Sequence, residues 1–256
     1  GVYVYGLMWC PGTAALITCR IRKISFSELG WKWNTRYVLI SYLIPIFYGL
    51  IAYLALWTSG FGKFPNDDFV KSIATSYGWK NFPSAIVIAL YVLLRGTIGM
   101  ASSLSSALGE EIGWRGFLAP QLAKVTTFTK TALIGGIIWS VWHYPLLLFA
   151  DYNSGTSPWF ALTCFTVMVI AISFPLAWLR LKSGSLWTAA FIHASHNLFI
   201  QSILTPLTTD TGQTKWFIDE FGIAVPTIAV IFAFIYWRKR FEVIDTQLQT
   251  STALVV

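Results

Sequence analysis

Two adjacent glutamates stand in an otherwise apolar part of the chain, in segment 109–116 with the sequence GEEIGWRG. If this segment is helical, Glu111 and Arg115 lie four residues apart on one face, where they can form an ion pair. Glu110 then points about 100° away from that pair. Glu111 is therefore expected to be neutralised by Arg115, which leaves Glu110 to face a cavity as a general base. The alternative is an interfacial Glu–Arg cluster at a helix end.

The three histidines of the chain all lie in apolar stretches. His143 follows Trp139 by four residues, and Pro145 just after it is expected to kink the helix and loosen its backbone hydrogen bonds. A histidine in this setting could act in proton transfer. It could equally form a hydrogen bond between helices, which is the commoner use of a lone membrane histidine.

A third group of polar residues follows in the sequence. His193 and Asn197 lie one helical turn apart, and both can donate hydrogen bonds, as a group that stabilises an oxyanion must. His193 or His196 could also bind a metal. His196 lies about 60° from His193 around the helix, and a supporting contact is expected for it. The alternative for the whole turn is polar contact between helices.

The elements that must position these residues are predicted to be membrane helices. Of the 256 residues, 55% are hydrophobic and 11% are charged, whereas an average soluble domain has about 25% charged residues. The fold class predicted is all-α: one integral membrane domain over residues 1–256, a polytopic bundle with about seven spans. The apolar runs are 2–19, 37–57, 84–108, 131–150, 159–179, 185–204 and 221–237.

The net charge of +7 does not indicate nucleic-acid binding, because the basic residues occur in short loops and form no single stripe. Basic loops alternate with loops that are acidic or mixed, and the latter include the loop with Asp219 and Glu220. The positive-inside rule then places the N-terminus outside and the C-terminus in the cytoplasm. A prokaryotic plasma membrane is the expected location, and membrane lipid is an expected partner.

The position of Glu110 along its predicted span is unusual. A straight helix that begins near Ser84 would carry Glu110 about 39 Å along its axis, beyond a hydrocarbon core of about 30 Å. Either the helix is strongly tilted, or Gly109 marks a break that turns the glutamate pair back into the bundle. In both cases the site is expected in the cytoplasmic half of the membrane.

Taken in order, the three groups resemble the motifs of the CPBP family of intramembrane proteases. These are the CAAX protease and bacteriocin-processing proteins, which include type II CAAX prenyl endopeptidases. The matching motifs are Glu-Glu-x-x-x-Arg at 110–115, aromatic-x-x-x-His at 139–143 and His-x-x-x-Asn at 193–197. The resemblance covers a protease core of about 84–204. In this chain the second motif opens with Trp139, where the family usually has Phe.

The resemblance implies a role for each matching residue. Glu110 and His143 would activate a water molecule for attack on a peptide carbonyl, and His193 with Asn197 would stabilise the oxyanion. Glu111 and Arg115 would be structural. The substrate implied is a prenylated or other membrane-associated peptide.

The participation of a metal remains open at this point. Glu110, His143 and His193 could complete a three-ligand Zn²⁺ site with an open position for water. A water activated by Glu110, with an oxyanion site of His and Asn, needs no metal, and we expect this second arrangement with no cofactor.

Two alternatives to a protease remain. Intramembrane Glu and His residues also serve proton pathways in transporters, although the sequence shows no inverted repeat with paired broken helices. The other alternative is a non-catalytic immunity or binding member of the same fold.

Overall fold

The computed structural model describes residues 2–150 and 152–243, and over these residues the fold is all-α, as predicted, without a β-strand. The C-terminal segment 244–256, whose cytoplasmic position was predicted, lies outside the described residues. The helices are α1 (Val2–Arg22), α2 (Thr35–Thr58), α3 (Asp67–Ser76), α4 (Ser84–Val125), α5 (Phe128–Phe149), α6 (Pro158–Ser183), α7 (Leu186–His196, continued by a π-helical stretch at Asn197–Leu204) and α8 (Ala224–Arg238).

Among the described helices, four are long and apolar enough to cross a membrane: α2, α4, α5 and α6. Helix α8 is a shorter apolar helix. Each of the seven predicted apolar runs coincides with a helix, so the prediction of a helical membrane bundle is confirmed. The number of crossings remains a prediction.

Most of the long helices begin at a side-chain cap. The side-chain oxygens of Asn34, Thr127 and Ser157 accept backbone N–H groups in the first turns of α2, α5 and α6. Such caps satisfy donors that have no partner inside the helix. Helix α6 ends at Gly184, whose positive φ of 68° suits a residue without a Cβ atom.

Helix α6 forms the centre of the bundle. Helices α5 and α8 pack against it, α2 packs against α7, and α1 packs against α4. Leu176 and Leu179 of α6 are completely buried in the main core. The segments that carry the three sequence motifs therefore belong to one packed unit, and the site lies where α4, α5 and α7 face one another.

Of the two alternatives predicted for this helix, a break at Gly109 is wrong, because α4 continues through it as one helix of 42 residues. At about 1.5 Å per residue such a helix is roughly 60 Å long, about twice the thickness of the hydrocarbon core. Two π-helical stretches, Arg95–Gly99 and Ile112–Leu118, modify its course without ending it.

The glycines of α4 instead allow close approach to α1. A Cβ atom on Gly109 would lie 2.7 Å from Cγ of Trp9. A Cβ atom on Gly113 would lie 2.6 Å from Cβ of Pro11 and 2.7 Å from its carbonyl oxygen. Because backbone atoms cannot yield as the end of a flexible side chain can, α1 and α4 need glycine at Gly113.

The basic loops meet at one end of the bundle. Lys124, after α4, lies 3.9 Å from the carboxylate of Glu28, and Arg180 donates a 3.2 Å hydrogen bond to the backbone carbonyl of Glu28. Near the end of α8, Trp237 donates to the hydroxyl of Thr129 at the start of α5. Segments distant in sequence thus form one positively charged end.

The loop that follows α7 closes the opposite end. Lys63 and Thr209 pair through two backbone hydrogen bonds of 3.1 and 2.8 Å, and the side chain of Asn66 donates to the carbonyl of Pro206. These contacts hold the beginning of the 205–223 loop over the bundle, and the loop returns inward before α8 begins.

A substitution tests the contact between α1 and α4. Gly113→Ala should lower the melting temperature of the detergent-solubilised protein by about 2–10 °C, because the added methyl group overlaps the backbone of Pro11. Gly135→Ala in α5 is the matched control, because a Cβ atom there meets nothing within 4 Å. It should leave the melting temperature unchanged or raise it slightly. Equal melting temperatures for the two variants would contradict this packing.

Candidate active site

A single cavity of about 380 Å³ takes in all four residues that the sequence predicts to be catalytic. Its volume is within the range of pockets that bind small ligands. Most of its wall is apolar. Its polar or ionisable lining residues are Glu110, Trp139, Trp142, His143, Tyr152, His193, His196, Asn197, Gln201 and Glu220.

Glu110 is almost completely buried and is held by two indole groups. Its Oε2 atom accepts hydrogen bonds from Nε1 of Trp139 at 2.6 Å and from Nε1 of Trp114 at 3.1 Å. Both donors are directed at the same oxygen, so they fix the carboxylate in one orientation. The other oxygen, Oε1, lies 3.9 Å from Nε2 of His143.

The hydrogen bond of His143 to the backbone defines its tautomer. Its Nδ1 atom lies 3.1 Å from the carbonyl oxygen of Trp139. A carbonyl only accepts, so Nδ1 carries the proton and Nε2 of the neutral ring is an acceptor. Oε1 of Glu110 and Nε2 of His143 are therefore two acceptors 3.9 Å apart, a separation that suggests a bridging water rather than a direct hydrogen bond.

Glu111 faces away from this pair and forms the predicted ion pair with Arg115. Nη1 of Arg115 donates to Oε1 and Oε2 of Glu111 at 3.0 and 3.3 Å, and its Nη2 atom donates to Ser173 of α6 at 3.0 Å. The guanidinium also lies 4.2 Å from the ring centroid of Trp139. Glu111 is completely buried, and the guanidinium of Arg115 balances its charge.

His193 is attached to the same ion pair. Its Nδ1 atom lies 2.9 Å from Oε1 of Glu111, and its ring packs against Trp139 with centroids 5.2 Å apart. Because the carboxylate only accepts, Nδ1 carries a proton. His193 can therefore donate through Nε2 only as an imidazolium, and in that form it shares the Glu111 carboxylate with Arg115.

Asn197 lies at the point where α7 changes to its π-helical stretch. Its side chain lines the cavity, and within residues 2–150 and 152–243 no hydrogen bond engages its amide group. Asn197 and His193 thus reach the cavity from α7, whereas Glu110 and His143 reach it from α4 and α5. π-Helical turns are frequent at functional sites.

His196 forms hydrogen bonds through both ring nitrogens, whereas only a supporting contact was predicted for it. Its partner Glu220 was not identified from the sequence. Nδ1 of His196 lies 2.6 Å from the hydroxyl of Tyr48, and its Nε2 atom lies 2.9 Å from Oε2 of Glu220. Sequence analysis assigned Glu220 only to an acidic loop. The signal that could have identified Glu220 is its position directly before the apolar run 221–237, because Glu110 likewise stands among apolar residues.

Glu220 and its neighbour Asp219 are both buried in the 205–223 loop. Burial and the neighbouring Glu220 charge raise the pKa of Asp219 to about 7. Burial also opposes ionisation of Glu220, but its hydrogen bonds with His196 and Tyr152 dominate and hold its pKa below the ordinary value. Glu220 therefore presents a second carboxylate to the cavity.

The alternative zinc site would need Glu110, His143 and His193 to direct ligand atoms at one point. No group of three His, Cys, Asp or Glu side chains in the described parts of the chain has an arrangement that could hold a metal ion. His143 and His193 each direct Nδ1 at a protein acceptor, the Trp139 carbonyl and Glu111 respectively. Such a second contact is usual for metal-binding histidines, so it is the arrangement of the three side chains in space that does not fit the three-ligand set.

The part of the chain that carries the site is similar in sequence to type II CAAX prenyl endopeptidases. A family model described as type II CAAX prenyl endopeptidase Rce1-like matches residues 96–199, which include all three motifs. The chain is similar to this family over that region, which is somewhat less than half of its length.

One relative extends the similarity beyond the motif region. It is CAAX prenyl protease 2 of Methanococcus maripaludis, which is 26% identical over 252 residues. The match covers 93% of this chain and 84% of the relative. The similarity to this relative therefore extends to the helices outside the motif region.

The two indole donors to Glu110 yield a prediction. Trp139→Phe keeps an aromatic ring but removes the 2.6 Å hydrogen bond, so kcat/KM for peptide cleavage should fall about tenfold as the carboxylate loses its fixed orientation. Trp237→Phe is the control, because it also removes an indole hydrogen bond but lies outside the cavity. Its kcat/KM should stay within about twofold. Equal kcat/KM for Trp139→Phe and the parent would contradict the role of this hydrogen bond.

Proposed function

We propose that the chain is an intramembrane endopeptidase that hydrolyses a peptide bond in a prenylated or otherwise membrane-associated peptide. The observation that carries this proposal is the pairing of Glu110 and His143 as two acceptors in a cavity that His193 and Asn197 also line. Hydrolysis of an amide needs both parts: acceptors for the protons of water and donors for the oxyanion.

In the proposed first step, a water molecule bound between Oε1 of Glu110 and Nε2 of His143 attacks the carbonyl carbon. One proton of the water passes to the carboxylate as the new C–O bond forms, and His143 orients the second. The two indoles on Oε2 keep Oε1 directed at the water. General-base catalysis of this kind contributes on the order of 10²–10⁴ in rate.

The carbonyl oxygen then carries the negative charge of a tetrahedral intermediate. Nε2–H of imidazolium His193 and the side-chain amide of Asn197 donate hydrogen bonds to it, in a site where little water competes. When the intermediate collapses, the C–N bond breaks and Glu110 returns its proton to the leaving amine. The products are a new carboxylate and a new amino terminus.

The substrate class follows from the family and from the cavity wall. Both the family model and the Methanococcus maripaludis relative are described as CAAX prenyl endopeptidases or proteases. The wall of this cavity is formed largely by apolar side chains such as Leu146, Phe165 and Ile172. Such a wall suits the aliphatic residues of a CAAX-type sequence better than a charged peptide.

We propose that the reaction needs no metal. The protein itself supplies the acceptors and donors for every step above, and the geometry of Glu110, His143 and His193 does not fit a three-ligand site. Zn²⁺ dependence is the competing mechanism, and the effect of a metal chelator on cleavage distinguishes the two.

The proposed location is a prokaryotic plasma membrane with the basic end of the bundle in the cytoplasm. The convergence of Lys124, Arg180 and the loop around Glu28 at one end supports this orientation. Lipid surrounds the exposed apolar faces of the helices, and a membrane peptide is the proposed partner.

The function is tested by cleavage of a prenylated CAAX peptide by the purified protein in detergent or liposomes. Glu110→Gln and His143→Ala should each lower kcat/KM by about 10²–10⁴-fold, because each removes one of the two acceptors for water. Glu28→Gln is the matched control, since its carboxylate is about half exposed and pairs with Lys124 outside the cavity. Its activity should stay within about twofold of the parent.

Full activity in both Glu110→Gln and His143→Ala would rule out the proposed chemistry. Absence of cleavage by the parent, with proton-coupled flux in liposomes, would favour a transporter, and absence of both would favour a non-catalytic member of the fold.

In the same assay, a metal chelator should leave the parent rate unchanged. Loss of activity that zinc restores would replace the metal-free mechanism.

A further inference from the structure

The ring of His196 is bound at both nitrogens by groups from distant parts of the chain. Tyr48 belongs to α2 and contacts Nδ1 at 2.6 Å, whereas Glu220 belongs to the 205–223 loop and contacts Nε2 at 2.9 Å. Since a carboxylate only accepts, Nε2 carries a proton and donates to Glu220. Nδ1 then accepts from the Tyr48 hydroxyl in the neutral ring or donates to it in the charged ring, so both protonation states retain the two contacts.

The second carboxylate oxygen of Glu220 extends this network. Its Oε1 atom accepts a 2.8 Å hydrogen bond from the hydroxyl of Tyr152, in the loop after α5. The amide of Gln201 donates to the same hydroxyl at 3.4 Å. Glu220 is 5% exposed, and hydrogen bonds in such surroundings are strengthened by the exclusion of water.

These contacts surround the helical segment that carries the proposed oxyanion donors. His196 lies between His193 and Asn197, and Gln201 follows Asn197 by four residues in the π-helical stretch. The Glu220 network therefore reaches this segment before and after Asn197. Because no hydrogen bond engages the Asn197 amide within the described residues, its placement depends on the position of the backbone that carries it.

We propose that Glu220 is a positioning residue, which holds the helical segment that carries His193 and Asn197 in its reactive position. It does so through its hydrogen bond with His196 and through its hydrogen bond with Tyr152, whose hydroxyl also binds Gln201. This inference rests on the proposed function of His193 and Asn197 as oxyanion donors. Glu220 has no part in proton transfer to or from the substrate. Its contribution is geometric, and a displacement of about 1 Å at such a site can cost 10²-fold in rate.

Kinetics with a prenylated CAAX peptide distinguish this role from substrate binding. Glu220→Ala should lower kcat by about 10–100-fold and leave KM within about threefold, because the donors act on the transition state and little on the bound substrate. Glu220→Gln should retain kcat within about threefold of the parent, since its amide oxygen still accepts from His196 and its NH₂ group can donate to Tyr152. Asp210→Asn, an exposed carboxylate-to-amide change in the same loop, is the matched control and should match the parent.

Three kinetic results would overturn the proposal. One is a raised KM with unchanged kcat in Glu220→Ala, which would assign Glu220 to substrate binding. The second is parent-like kinetics in Glu220→Ala. The third is an equal loss in Glu220→Gln and Glu220→Ala, which would assign the effect to the charge of Glu220 and not to the contacts it holds.

Hydrogen exchange tests the same contacts without activity. Backbone amides of residues 194–201 should exchange at least about tenfold faster in Glu220→Ala than in the parent, while Asp210→Asn leaves them unchanged. If the parent cleaves no peptide, the proposed function fails, but faster exchange still supports the positioning contacts. Unchanged exchange in Glu220→Ala overturns them whatever the parent cleaves.

Discussion

Each charged side chain among apolar helices loses several kcal/mol of solvation free energy. Close pairing with an opposite charge, together with further hydrogen bonds, is needed to offset this loss. Glu111 and Arg115 meet this requirement with a 3.0 Å contact inside the bundle. Arg115 reaches Ser173 of α6, and Glu111 reaches His193 of α7. The ion pair therefore joins three helices. Removal of Arg115 would leave the buried Glu111 carboxylate with only its contact to His193. Removal of Glu111 would leave the buried guanidinium with only its hydrogen bond to Ser173 and its contact with the Trp139 ring.

This ion pair also gives the two adjacent glutamates different roles. Because Glu111 is occupied by Arg115 and His193, Glu110 alone faces the cavity, where two indoles fix one of its oxygens. Glu110 and His143 reach the cavity from α4 and α5, and His193 and Asn197 reach it from α7. In the proposed mechanism, a peptide carbonyl in this cavity meets water from the first pair and hydrogen-bond donors from the second, as amide hydrolysis needs.

The sequence predicted the parts of the site that depend on local helical geometry. The four-residue spacing of Glu111 and Arg115 predicted their pairing and the separate direction of Glu110, and the resemblance supplied the grouping with His143, His193 and Asn197. Contacts between distant segments were not predictable in the same way. Glu220 reaches His196 only because its loop folds inward, and no helical periodicity describes that loop.

Two further differences between the sequence predictions and the structure have local physical causes. A break at Gly109 was one of two predicted alternatives, but a glycine also permits close helix packing, and here Trp9 of α1 occupies the space beside it. Trp139 was treated as an aromatic that replaces Phe, yet its indole N–H binds Glu110 at 2.6 Å. A pattern that records only an aromatic ring does not reveal which ring carries a hydrogen-bond donor.

The central claim is that Glu110 and His143 act as one unit on a single water molecule, and a double-mutant cycle measures this directly. Single-turnover cleavage rates are compared for the parent, Glu110→Gln, His143→Ala and the double variant. If the two residues share one water, the double variant should be about as slow as the slower single variant, because either change already removes the shared step. Losses that multiply, so that the double variant is slower by the product of the two single effects, would contradict the account.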